Sequence, residues 1–239
     1  MKIPFAARPL CFSLFNLALL WSVAGFAETP LERGTYLVQG IAGCGNCHTA
    51  KGPEGDLPGM ELAGAIYKDS EDRVIYQFPN ITPDPETGVG GWSEEELIAA
   101  IREGRRPDGS VMGGIMPFEL YRRLSDTDVR AIVTYIRSLP PVKNEIPRPE
   151  LGARMPAGKD AQVTAVPDIS PDDPVAYGEY LAGPVGHCIE CHTPGKHGKI
   201  DYANSLGAGG RVFVGPWGES VSANITPTGL SHWADDELK

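Results

Sequence analysis

The chain has 239 residues, of which 31 are acidic and 21 are basic, so its formal net charge is −10. This length suits one or two small globular domains. Phosphate binding requires clustered lysine and arginine side chains, so an acidic chain of this kind is not expected to bind nucleic acid. A protein partner with a basic docking face is compatible with the charge.

The first 27 residues have the pattern of an export signal. Lys2 and Arg8 give a positive start, and residues 10–24 are strongly apolar. The segment 25–27 (Gly-Phe-Ala) has small residues at the two positions that a signal peptidase recognises. We therefore predict a cleaved signal peptide over residues 1–27 and a periplasmic location. The alternative is an uncleaved anchor that associates the protein with the membrane, because the apolar run nearly reaches the length of a membrane span.

The rest of the chain contains an internal repeat, in which the second copy follows the first at a constant offset of 144 residues. The string C-x-x-C-H-T stands at 44–49 and again at 188–193, and N-I-T-P stands at 80–83 and again at 224–227. The same comparison aligns Gly34 with Gly178, Leu62 with Leu206 and, after a three-residue deletion, Trp92 with Trp233.

Three helices are predicted in the first unit. Capping boxes at residues 29–32 and 93–96 begin the first two, which are expected to end near Ile41 and at Gly104. Ser125 begins the third, and Pro140 and Pro141 stop it. An apolar stripe at the spacing of a core-facing helix runs along this third helix, through Val129, Ile132, Val133 and Ile136.

The domain organisation follows from these elements. We predict a first domain over residues 28–139, a proline-rich linker over 140–173 that lies on the surface, and a second domain over 174–239. The segment between the first two helices is rich in glycine, proline and aspartate, which predicts loops with at most short strands. The second unit ends without a counterpart of residues 99–139, so we expect the second domain to be truncated at its C-terminus.

The two C-x-x-C-H motifs predict covalent attachment of two haem c groups. Two thiols three residues apart can each form a thioether to one haem vinyl group, and the next histidine coordinates the iron. A zinc site would need four ligands in one place, whereas each pair lies in its own unit. A thioredoxin-like site would lack the adjacent histidine. The predicted anchors are Cys44, Cys47, Cys188 and Cys191, with His48 and His192 as proximal ligands.

Methionine is the expected sixth ligand of the first iron, because it suits electron transfer. Met116 is favoured over Met112 and Met60, since it precedes a proline in a glycine-rich loop just before the last helix. The repeat offset places the second methionine beyond Lys239, so the sequence does not supply it. The remaining histidines are not expected to bind iron: His187, His197 and His232.

Several strings resemble the multihaem cytochrome c subunits of bacterial periplasmic alcohol and sugar dehydrogenases. The resemblance covers about residues 30–141 and 174–239, and it implies a mostly α protein with two tandem class I cytochrome c domains. In such domains a small residue of the first helix meets an aromatic residue of the last, and Gly34 and Tyr135 match that pair. The strings that carry the resemblance are residues 80–84, 91–97, 116–118, 124–126 and 135–141.

The function expected from the motifs and the resemblance is electron transfer. Electrons would come from a dehydrogenase or another redox donor and pass to a terminal oxidase, a quinone-linked acceptor or a soluble redox acceptor. No residue is assigned a catalytic role, because the haem carries the chemistry. The alternative is a dihaem enzyme, such as a cytochrome c peroxidase or a sulfur-compound oxidase. Dehydrogenase subunits of this type usually carry three haems, so a stand-alone dihaem carrier and a truncated subunit both remain open.

Overall fold

The computed structural model describes residues 27–68, 74–113, 115–147, 163–196, 199–215 and 218–238. The predicted signal peptide therefore lies outside the described residues, apart from Ala27. Within the described ranges, no helix is long and apolar enough to cross a membrane.

The first predicted helix is present and changes type along its length. Helix α1 (Pro30–Thr35) begins at a capping box, in which Glu32 N donates to Thr29 Oγ1 over 3.2 Å and Thr29 N donates to Glu32 Oε2 over 2.8 Å. A π-helical turn, π1 (Tyr36–Ile41), continues it and leads to the short helix α2 (Gly45–His48). The helix thus ends at the predicted residue and delivers the first cysteine motif.

The other two predicted helices of the first unit are also confirmed. Helix α3 (Glu94–Glu103) ends at Gly104, which adopts the left-handed conformation with φ 64°. Helix α4 (Phe118–Tyr121) is a single turn. Helix α5 (Asp126–Ser138) begins at Ser125, whose side chain accepts the N–H of Asp128.

Short antiparallel hairpins fill the segment between α2 and α3. The turn of the first hairpin is flanked by Gly52 and Gly55, and glycine favours tight reversal of the chain. The fold is therefore a mixture of helices and small sheets, 35% helical, rather than mostly α as predicted. The strands are β1 (Lys51–Gly52), β2 (Gly55–Asp56), β3 (Ala65–Lys68) and β4 (Val74–Phe78), paired β1 with β2 and β3 with β4.

The second unit repeats the order of elements from α1 to β4 and ends with a short helix at a place where the first unit has turns. We name residues 29–139 the first repeat and residues 173–238 the second repeat. The elements of the second repeat are α6 (Pro174–Tyr180), the π-helical turn π2 (Leu181–Val185), α7 (Cys188–His192), β5 (Gly195–Lys196), β6 (Lys199–Ile200), β7 (Val212–Gly215), β8 (Gly218–Val221) and α8 (Pro227–Leu230).

The structural register corrects one predicted equivalence. Leu62 N donates to Thr49 Oγ1, and its carbonyl accepts the N–H of Ile81. In the second repeat Gly207 makes the matching bonds, to Thr193 Oγ1 and from Ile225 N. Gly207, and not Leu206, is therefore the counterpart of Leu62, because hydrogen bonding fixes the position and both residues have positive φ, 55° and 74°.

The core of the first repeat lies where α1 crosses α5. A Cβ atom on Gly34 would lie 2.1 Å from the carbonyl oxygen of Ala131 and 2.8 Å from Cβ of Tyr135, so only glycine fits at this crossing. The predicted contact between Gly34 and Tyr135 is thereby confirmed. The predicted stripe of α5 is buried in this core: Val129, Ile132, Val133 and Ile136.

The second repeat contributes side chains to the same core. Tyr180, at the end of α6, is 5% exposed, and its hydroxyl donates to Asp128 Oδ2 over 2.7 Å and accepts the N–H of Ser125 over 3.0 Å. Arg33 holds the same Asp128 carboxylate with two N–H groups, at 2.7 and 2.8 Å, and donates a third to Tyr177. The hydrogen bond to Asp128 is the largest cause that raises the pKa of Arg33. These bonds fasten α6 to α1 and α5.

Candidate cofactor-binding sites

The histidine of the first motif is held in a defined orientation. His48 is 8% exposed, and its Nδ1 lies 2.9 Å from the carbonyl oxygen of Pro79. That contact uses Nδ1 as donor and leaves Nε2 as the nitrogen available to a metal. Burial lowers the pKa of His48, so the imidazole is neutral at neutral pH, which is the form that coordinates iron.

The two thiols of the first motif are not disulfide-bonded. Burial raises the pKa of Cys44 to about 11 and is also the largest cause that raises the pKa of Cys47. Redox-active C-x-x-C sites have depressed cysteine pKa values, because the thiolate is the reactive species. The environment of Cys44 and Cys47 therefore differs from that of a thioredoxin-like centre.

Both thiols and His48 line one apolar cleft, which we name the first cleft. The space of the first cleft amounts to about 1520 Å³ when its open mouth is counted. Two neutral thiols, a neutral imidazole and apolar walls are the donor set and surroundings that a covalently attached haem requires. The residues present therefore fit that group. The apolar walls include Phe78, Val89, Leu97, Ile101, Ile132 and Ile136.

Two of the three candidate methionines of the first repeat line the first cleft. Met116 and Met112 are both on its wall, and both are half-buried. The loop that carries them is fixed by backbone bonds, since Met112 N donates to Gly104 O over 2.7 Å and Phe118 N donates to Met116 O over 2.8 Å. The structure thus brings Met112 and Met116 to His48 and does not distinguish between them. Met116 as the sixth ligand stays a prediction.

The second motif reproduces the local structure of the first. His192 Nδ1 lies 2.8 Å from the carbonyl oxygen of Ala223, 31 residues further on, just as Pro79 lies 31 residues after His48. Burial is the largest cause that raises the pKa of Cys191. Helix α7 holds Cys188, Cys191 and His192 together, with both thiols exposed and the histidine partly buried.

The repeated Asn-Ile-Thr strings have a structural role in both repeats. Asn80 Oδ1 accepts the backbone N–H and the hydroxyl of Thr82, at 2.9 and 2.7 Å, and Asn224 does the same for Thr226 at 2.8 and 2.7 Å. Asn80 also donates to Val142 O over 2.7 Å, which ties the start of the predicted linker to the first repeat. These turns shape the segment that presents the carbonyl groups to His48 and His192.

Sequence reasoning did not place His187 and Glu190 at the first cleft. Both belong to the second motif segment, yet both line the first cleft beside Cys47. The one available signal is that His187 stands at the position of Gly43, a glycine with φ 57°. Among the described residues, no group of three or more His, Cys, Asp or Glu side chains is arranged to hold a metal ion by itself.

Comparisons with known proteins agree with this geometry. The sequence profile of the cytochrome c family matches residues 31–140. The chain is 34% identical over 230 residues to the cytochrome c subunit of a quinone alcohol dehydrogenase from Gluconobacter oxydans, which covers 88% of this chain and 46% of that protein. It is 32% identical to the fructose dehydrogenase cytochrome subunit of Gluconobacter japonicus, over 97% of this chain and 50% of that protein.

A third relative is covered more completely. A dihaem c-type cytochrome from Cereibacter sphaeroides is 30% identical over 206 residues, which is 81% of this chain and 67% of that protein. The chain spans about half the length of the two dehydrogenase subunits. The buried histidine, the thiol pair beside it and these matches together show that the chain belongs to the cytochrome c family.

Proposed function

We propose that this chain is a dihaem electron-transfer protein of the periplasm that takes electrons from a dehydrogenase and passes them to a respiratory acceptor. Covalently attached haem supplies one-electron redox chemistry at each site, and the protein supplies binding, orientation and electrostatics. The observation that carries the proposal is the identical setting of the two motif histidines. Each has its Nδ1 on a backbone carbonyl 31 residues further along the chain.

The proposed anchors are the two thiols of each motif. Cys44 and Cys47 would hold the first haem, and Cys188 and Cys191 would hold the second. In this proposal residues 28–139 and 174–239 are two tandem cytochrome c domains, joined by the linker 140–173. The repeated order of helices and hairpins supports that division.

Met116 is the proposed distal ligand of the first site. It lines the first cleft, and the loop that carries it is held by backbone hydrogen bonds and by Pro117. A methionine ligand keeps oxygen and peroxide off the iron and raises its reduction potential, which suits a carrier.

The donor and the location are inferred from the relatives and from the sequence. Relatives of this chain are cytochrome subunits of alcohol, fructose and gluconate dehydrogenases, which supports a dehydrogenase as the electron donor. The export pattern of residues 1–27 supports the periplasm. The proposed acceptor is a terminal oxidase, a quinone-linked protein or a soluble redox protein.

The proposal is tested on the purified chain after expression with a haem-attachment system. We expect two covalently bound haems per chain after denaturation, and two reversible one-electron midpoints in a potentiometric titration. Met116→Leu should remove the methionine–iron charge-transfer band and lower one midpoint, within the roughly 0.8 V range that axial ligands span. Met112→Leu, which also lines the cleft, is the matched control and should leave the band in place.

Two outcomes would contradict the proposal. Fewer than two covalent haems per chain would contradict the proposal that both motifs attach haem. The wild-type protein could instead turn over hydrogen peroxide or thiosulfate much faster than free haem does. That result would favour a dihaem peroxidase or a sulfur-compound oxidase.

A further inference from the structure

One carboxylate of the second motif lies between the two attachment sites. Glu190, at the position that Asn46 occupies in the first motif, lines the first cleft together with Cys47 and His48. It also lines a second cavity, together with Met116 and Arg211. Its side chain is 31% exposed, so solvent screens its charge only in part.

Glu190 is close to both motifs by position. It lies within α7, between Cys188 and Cys191 of the second motif. It also lines the first cleft with Cys47 and His48 of the first motif. Glu190 is therefore a carboxylate that both sites share.

The residue that precedes α7 contributes to this arrangement. His187 has φ 41°, a left-handed conformation that is unfavourable for a residue with a side chain, and Gly43 holds the equivalent place in the first repeat. The strained conformation places the His187 ring edge-on to Tyr121, with centroids 6.0 Å apart, on the wall of the first cleft. Its Nδ1 lies 3.6 Å from Glu190 Oε2. The His187 ring therefore contacts Tyr121 of the first repeat and lies next to the Glu190 carboxylate.

We infer that Glu190, although it belongs to the second motif, sets the electrostatic potential at both haem sites. The inference rests on the proposed function, because it concerns haem attached at both motifs. A carboxylate near a redox centre stabilises the oxidised form and so lowers the reduction potential. Because Glu190 lowers both potentials together, it changes their difference less than it changes either value.

Glu190→Gln, which keeps the shape and removes the charge, tests the inference by potentiometric titration of the purified dihaem chain. Both midpoint potentials should rise, each by up to about 59 mV. For a one-electron couple this equals about a tenfold change in the equilibrium constant of reduction. Glu190→Asn copies the first motif and should give the same result.

Two control variants separate a shared charge from a local one. Asn46→Asp adds a carboxylate at the equivalent position of the first motif and should lower one midpoint only, because Asn46 lines the first cleft, whose lining includes none of Cys188, Cys191 and His192. Glu219→Gln removes an exposed carboxylate from β8 and should move neither midpoint.

A shift of a single midpoint in Glu190→Gln, or of neither, overturns the inference. If the wild-type chain carries two covalent haems and only one midpoint moves, the inference fails while the proposed function stands. If the wild-type chain carries fewer than two haems, the proposed function itself fails.

Discussion

The two cysteine motifs share their local structure but differ in what surrounds them. In the first repeat, α3 and α5 lie over the motif, and His48 is 8% exposed in a cleft with apolar walls. In the second repeat the same ring contact is made by His192, which is only partly buried, and both thiols are exposed. A motif and its hydrogen-bonded loop therefore determine how the histidine is held, while packing from distant helices determines the polarity around it.

The equivalent helices of the two repeats differ in the same way. Helix α1 packs its glycine against α5, whereas α6 exposes Gly178 and packs Tyr180 against that same α5. One helix thus serves both repeats. Equivalent positions of the two repeats therefore have different roles, because α1 and α6 pack against the same helix, α5.

Removal of the cysteine pairs has the largest expected effect. Cys44→Ala with Cys47→Ala, and separately Cys188→Ala with Cys191→Ala, should each reduce covalent haem from two per chain to one. The first double variant should also lower the melting temperature more, because the first cleft lies within the main core. Haem content after denaturation and thermal unfolding measure both effects. Equal decreases in melting temperature in the two double variants would contradict the difference in packing between the two motifs.

Alanine at the equivalent glycines should have opposite effects on stability. In Gly34→Ala the new Cβ meets a backbone oxygen at 2.1 Å, so we expect a loss of at least about 1–3 kcal/mol in the free energy of unfolding. In Gly178→Ala nothing lies within 4 Å of the new Cβ, so the better helix former should add about 0.5–1 kcal/mol. Denaturant unfolding of the haem-loaded chain measures both values. A similar loss in both variants would show that α6 is packed as α1 is.

Removal of the hydroxyl group should affect stability differently at the two equivalent tyrosines, Tyr36 and Tyr180. Tyr180→Phe loses a bond to Asp128 and one from Ser125, which should cost about 0.5–1.5 kcal/mol. Tyr36→Phe, at the equivalent position, changes a ring that is 44% exposed and should cost close to nothing. Denaturant unfolding measures the free energy of unfolding of both variants. An equal loss in the two would contradict the role assigned to Tyr180.

The smallest expected effect concerns acid stability. The Asp84 carboxylate accepts bonds from Thr87 N, Thr87 Oγ1 and Glu86 N, and the bond from Thr87 N is the largest cause that lowers the pKa of Asp84. Because the folded-state pKa is lowered, the stabilisation is complete above the ordinary carboxylate pKa and is lost as the pH falls through the folded value. Asp84→Asn should therefore flatten the acid limb of a stability–pH curve.

The second repeat provides the control for this pH effect. Thr228 stands at the position equivalent to Asp84 and shares a hydrogen bond with Thr226. Thr228→Val should leave the acid limb unchanged, since it removes no titrating group. An unchanged curve for Asp84→Asn would show that the lowered pKa does not contribute to stability.

The local features of the fold could be predicted from the sequence because their causes are local. Capping residues such as Ser93 and Ser125, and the left-handed Gly104, begin and end helices through bonds to their own neighbours. The prediction of loops with at most short strands between α2 and α3 is confirmed. The bounds of these strands could not be predicted, since pairing of two to five residues depends on turns that have little periodic signal. The predicted equivalence of Leu62 with Leu206 was wrong, because the hydrogen bonds of the backbone, and not the identity of the side chain, place Gly207 at the position of Leu62.

By itself, the sequence determined that two thiol pairs, each followed by a histidine, stand in a duplicated unit, since that chemistry is encoded within five consecutive residues. Only the tertiary structure decided which residues surround each motif. Tyr180 enters the core of the first repeat, and Glu190 lies beside Cys47, through contacts between segments more than 50 residues apart. No local pattern encodes such contacts, because they depend on how the second repeat packs against the shared helix α5.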